Sequence, residues 1–177
     1  MTVRIAGAPI SWGVCEVPGW GHQISVDRVL REMREAGLTA TENGPDGFLP
    51  SDPQELARTL ADHGLTSVGG FAPVLLHESG HDPVPGISGL LDGFVAAHAD
   101  VIVLAAVRGR DGYDARPVPT DDEWTTLLRN LDRLAAASAE RGIRAVLHPH
   151  VGTMIEQRDE VHRVLDGSSI PLCLDTG

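Results

Sequence analysis

No lysine occurs in the 177 residues; all 14 basic residues are arginine. Chemistry that needs a lysine amine is therefore excluded, whether a Schiff base or the phosphate-binding lysine of a glycine-rich loop. Positive charge is scarce altogether, because 25 acidic residues leave a formal net charge of −11. Such a surface repels phosphate backbones and anionic lipid, and no run of arginines offsets it, so neither nucleic acid nor a membrane is an expected partner. Only two cysteines are present, Cys15 and Cys173. They are too few and too far apart for a zinc ribbon or a disulfide framework, and both read as reduced thiols. Long hydrophobic runs are also missing: the apolar stretch near the N-terminus is short and broken by glycine and proline, unlike a signal sequence or a membrane span. A cytoplasmic location is the expectation.

What the chain does have is alternation. The short apolar run Arg4 to Ile10 reads as a strand. Val26, Val29, Leu30 and Met33 then recur at i, i+3, i+4, i+7 and stop at Gly37, which is the pattern of an amphipathic helix. The unit repeats: a strand over Leu38 to Asn43, then Asp52-Pro53-Gln54-Glu55 as an acidic cap opening a helix that ends at Gly64. A strand over Leu65 to Phe71, a long Pro/Gly/His-rich loop from Ala72 to Pro85 and a helix over Ile87 to His98 follow. The continuous apolar run Asp100 to Ala106 reads as a strand covered on both faces. Thr120-Asp121-Asp122-Glu123 is a capping box before a long helix with Trp124, Leu127, Leu128, Leu131 and Leu134 on one side. Strands over Ile143 to His148 and Ile170 to Asp175, with a helix around Glu156 to Leu165 between them, complete the series. Six strands alternating with five helices call for an α/β fold with a parallel sheet in a single domain spanning residues 1–177. No strand opens a helix through G-x-G-x-x-G, and polar residues gather at strand C-terminal ends, so the expected form is a TIM (β/α)8 barrel rather than a dinucleotide-binding fold. A complete barrel has eight strands and typically ~250 residues, so the expectation is a barrel truncated after its sixth strand.

Several residues at those strand ends could carry chemistry. In His148-Pro149-His150 the two imidazoles, at i and i+2, point to one face. Imidazole binds divalent transition metals, and Glu156 and Asp175 add hard oxygen donors, a mixture suited to Mn, Co, Fe or Zn. The alternative is a pair of histidines that only hydrogen-bond loop backbone. Asp175 closes an apolar strand, where an ionised carboxylate must find a cation or several donors, or else cap a helix. Glu42 ends the second strand, as a general base, a hydroxyl acceptor or a carboxylate tying its own loop together. Trp12 follows the first strand and could stack on a sugar-like ring or fill the core. Glu16 and Trp20 share its loop. His77 and His81 lie in the long third loop and could reach a substrate, with solvation the simpler expectation.

Four segments carry a resemblance: Ser11-Trp12-Gly13-Val14-Cys15-Glu16, Glu42 through Pro50, His148 through Thr153, and Leu174-Asp175-Thr176-Gly177. Together and in this order they resemble the inosose dehydratases, of the xylose-isomerase-like superfamily of TIM barrels that includes sugar phosphate isomerases and epimerases. The resemblance implies a divalent metal at strand C-terminal ends and a lyase reaction, loss of water from 2-keto-myo-inositol in inositol catabolism by enolisation. On that reading His148, Glu156 and Asp175 hold the metal, Glu42 and His150 are the acid and base, and Trp12 binds substrate. Many members of the superfamily place a glutamate where this chain has His148, which leaves Glu156 to supply that carboxylate. A keto-sugar isomerase or epimerase of the same superfamily, and a non-catalytic ligand-binding barrel or inactive fragment, are the alternatives. The expected partner is a small polyol or keto-sugar, with a homo-oligomer compatible with the fold.

Overall fold

The computed structural model describes residues 4–15, 19–109 and 118–176. Glu16 and Gly177, which belong to the motifs above, lie outside them. Four strands are regular: β1 Ala40–Glu42, β2 Thr66–Leu75, β3 Val101–Val107 and β4 Arg144–Leu147. They form a parallel sheet in the order β1-β2-β3-β4. Five helices alternate with them: α1 Val26–Glu35, α2 Pro53–Asp62, α3 Val84–Ala96, α4 Asp121–Ala139 and α5 Arg158–Gly167. The order is that of an α/β barrel.

The first and last expected strands are each reduced to one parallel bridge, Gly7 with Thr41 and Leu147 with Leu172. At the start the cause is local. Pro9 opens a 3-10 turn, Pro9–Trp12, and its ring fixes φ and removes the N–H that a continuing ladder would use. At the end the backbone bonds from Leu147 to Pro171 and from Cys173 to Leu147 hold the centre of the segment, while Leu174 beyond it is exposed. The third strand is longer than its sequence suggests, because β2 continues through Ala72-Pro73-Val74-Leu75.

Two compact units are distinguished. The first comprises residues 1–71 and 89–101. Its core gathers Val29, Leu30 and Met33 of α1, Leu56 and Leu60 of α2, and Val14, Leu49, Leu65 and Ala97. The helix starts and stops follow the sequence: Asp52 accepts from the backbone N–H of Gln54 and Glu55, and Gly37 and Gly64 end their helices at φ of 85° and 67°. His63, at the end of α2, is held between the carbonyl of Thr59 and the carboxylate of Asp27 on α1. The second unit comprises residues 72–88 and 102–177. There α4 packs on β4, and Leu127, Leu131 and Leu134 are fully buried together with Ile102, Leu104 and Leu147. Thr120 and Glu123 form the expected capping box. No helix among the described residues is long and apolar enough to cross a membrane.

Candidate functional site

In the first unit, Glu42 stands at the C-terminal end of β1, where the ladder slips. Ala40 and Thr41 pair with Thr66 and Ser67, but Glu42 pairs with Gly69, so β2 carries one extra residue. An extra residue of this kind bends the strand that carries it, here β2. Its chemistry is written in three residues. The Ser67 hydroxyl donates to the Asn43 side-chain oxygen at 2.6 Å and accepts from the Gly69 N–H at 3.1 Å. Gly69 adopts φ of 130°, and a Cβ there would lie 1.7 Å from the carbonyl oxygen of Val101. The bulge therefore requires glycine at this position.

The Glu42 carboxyl is half-buried and makes no ion pair or hydrogen bond among the described residues. Burial pushes it above the ordinary range of a glutamate. It does not tie its loop together; Asn43 does that, through Ser67 and through its N–H to the Gly69 carbonyl. Trp12 packs against the core cluster of its unit, and its indole N–H donates to Glu32 on α1 at 3.0 Å. Trp20, by contrast, is exposed.

In the second unit, β4 delivers His148 at its C-terminal end, anchored by the bond from its N–H to the Leu104 carbonyl on β3. Its Nε2 lies 3.7 Å from Oδ2 of Asp175, and its ring meets that of His150 edge-on with centroids 5.2 Å apart. Burial, followed by the charge of His150, holds the His148 imidazole below its ordinary range, against the opposing pull of Asp175. His150 directs Nδ1 at the Val151 carbonyl, 2.7 Å away. A carbonyl only accepts, so this contact places the ring proton on Nδ1 and makes Nε2 the atom that takes up a second one.

Glu156 is placed differently from the metal ligand expected of it. Its carboxylate accepts from the Gly152 N–H at 2.8 Å and closes the turn between His150 and Glu156, where Thr153 also bonds the His150 carbonyl. Asp175 differs too: with the pairing reduced to Leu172, it ends an exposed segment rather than a buried strand. Among the described residues no three His, Cys, Asp or Glu side chains converge as a metal cage. One imidazole nitrogen facing one carboxylate oxygen, His148 with Asp175, does fit a divalent transition ion, as part of its shell.

One residue with functional potential escaped the sequence, and a second, His77, was placed in a loop rather than just past a strand end. Arg108 follows β3 and is 6% exposed, although nothing in its run of sequence marks it as buried. His77 follows β2, and its position could have been read had the strand been carried past Pro73.

Comparison with known proteins brings these observations together. The inosose dehydratase of Geobacillus kaustophilus is 30% identical over 187 residues, covering 98% of this chain and 60% of the relative. The chain is similar to this inosose dehydratase over nearly its whole length. Solved TIM barrels share its fold. A xylose isomerase-like TIM barrel protein from Mycobacterium smegmatis in complex with magnesium superposes with a TM-score of 0.66 at 18% identity, over 99% of this chain and 65% of the other. The IolI protein with a bound zinc atom gives 0.68 at 10% identity, over 93% and 58%. No family model matches the chain. The chain spans about 60% of the length of the curated relative it matches.

Proposed function

We propose that the protein containing this chain is a metal-dependent hydro-lyase that removes water from a cyclic polyol ketone, with 2-keto-myo-inositol as the substrate. The observation that carries this reading is Glu42: a half-buried carboxyl at a strand end, without an ion pair among the described residues and raised by burial, is a group kept for proton transfer. The similarity to an inosose dehydratase over 98% of the chain supports the substrate class.

The reaction breaks a C–H bond next to the ketone and a C–O bond at the β-carbon. His150 Nε2 takes the proton from the carbon. Glu42, whose burial favours its protonated form, gives its proton to the departing hydroxyl, which leaves as water. His148 and Asp175 would hold the metal, with zinc and magnesium the ions named for the solved barrels. Bound there, a divalent ion supplies polarisation of a ketone oxygen. Glu156 would join that shell through the carboxylate oxygen that does not accept from Gly152. Trp12 lends its ring face to the substrate while Glu32 fixes its edge.

The test is turnover of 2-keto-myo-inositol by the intact protein, followed in the ultraviolet. Elimination yields a conjugated, absorbing dione, whereas epimerisation returns a saturated ketone with no new absorbance. Exchange of the α-hydrogen with solvent without any rise in absorbance would replace this reading with that of an epimerase.

A further inference from the structure

Read as sequence, His77 lies in a long loop, solvated or within reach of a substrate. In the structure β2 runs on to Leu75, so His77 stands two residues past the C-terminal end of a strand. The backbone that presents it is fixed: Leu76 is fully buried, and its carbonyl accepts from the side-chain amide of the buried Asn130 on α4 at 2.9 Å. From this anchored position the ring places Nδ1 in a buried environment where no group of the described residues hydrogen-bonds to it. A buried polar atom left unmatched is costly, and native structures keep such atoms where something else is meant to meet them.

The direction in which His77 faces can be read from burial. Along β2, the buried Ala72, Val74 and Leu76 alternate with the less buried Pro73, Leu75 and His77. Along β4, the buried Ala145 and Leu147 alternate with Val146 and His148. Both histidines thus belong to the more open parity of their strands, in one compact unit, with β3 between β2 and β4. Two strand spacings amount to ~10 Å. That is a span for a six-membered ring and its hydroxyls held at both ends.

We infer that His77 is a substrate-binding residue, whose Nδ1 hydrogen-bonds a hydroxyl of the polyol ring. A hydroxyl both donates and accepts, so it satisfies this nitrogen in either tautomer. The inference rests on the polyol ketone reading above and adds to it a second point of attachment away from His148 and Asp175.

The test compares the intact protein with His77→Phe, which keeps a planar ring and removes the nitrogen, and with His77→Gln, which restores a polar atom. For His77→Phe the expected result is a KM for 2-keto-myo-inositol raised about tenfold, unchanged metal content, and a melting temperature equal to or above the parent's, because the unmatched atom is gone. His77→Gln should recover part of the lost affinity; should the Phe variant fail to fold, the KM of this variant alone, raised or not, decides. An active protein whose KM is unmoved by these substitutions would overturn the inference and assign the nitrogen to a bound water. A parent with no turnover of polyol ketones would overturn the functional reading itself, and this inference with it.

Discussion

Glu42 and His148 are each displaced from the titration expected of the isolated side chain, and in opposite directions. For Glu42 the folded protein holds the proton more tightly than the unfolded chain does. The carboxyl therefore adds nothing to stability at low pH and detracts from it as pH rises through its raised value. Glu42→Gln should accordingly raise the melting temperature at neutral pH and leave it unchanged near pH 4. The same substitution should lower turnover by about 10²- to 10⁴-fold and remove the alkaline limb of the rate profile, which is where an acid loses its proton. Melting curves at two pH values and a pH–rate profile check both. His148 is held towards the neutral imidazole whose lone pair a metal needs. His148→Ala should leave the dialysed protein with less bound metal, and elemental analysis measures it; undiminished content would make the residue structural.

The bulge shows how an element can serve one residue. Serine at 67 and glycine at 69 cost β2 some regularity, and in return Asn43, the neighbour of Glu42, is tied down. Gly69→Ala should disrupt this, because its Cβ would meet the Val101 carbonyl oxygen at 1.7 Å and backbone cannot step aside cheaply. Loss of cooperative unfolding, or a drop in melting temperature well beyond that of a surface Gly→Ala change, is the expected outcome in thermal denaturation. None of this is visible as periodicity, which is why Glu42 could be placed at a strand end from the sequence while the slip beside it could not. The helices were legible for the opposite reason: Asp52, Thr120, Gly37 and Gly64 act on backbone within a few residues of themselves. Pro73 misled because a proline normally ends a central strand. Here β1 pairs with β2 only as far as Gly69, so Pro73 lies beyond β1's ladder, where no N–H is asked of it on that side. The ends of the series erred the other way, since apolar content marks a segment for burial without specifying a ladder. The backbone partner of Glu156, the Gly152 N–H, was not legible because spacing says nothing of such a donor.

For the molecule as a whole, the alternating series, the parallel order of the sheet and the likeness in fold to solved TIM barrels agree with the pattern read from sequence. The candidate groups are distributed over both units, with Trp12 and Glu42 in the first and His77, His148, His150 and Asp175 in the second. The first and sixth segments share a feature with a consequence in time rather than in space. Each is joined to its neighbour through a single bridge, at Gly7 and at Leu172, whereas β2 and β3 run for ten and seven residues. In deuterated solvent the amides of residues 4–12 and 170–176 should exchange first, those of β3 and α4 last, and the interval between the two sets measures how far local opening precedes global unfolding. The carboxylate that faces His148 rides on one of the early-exchanging segments. A divalent ion bound between His148 and Asp175 should therefore slow exchange at Cys173 to Thr176 far more than in β3, turning a hydrogen-exchange map into a reading of metal occupancy residue by residue.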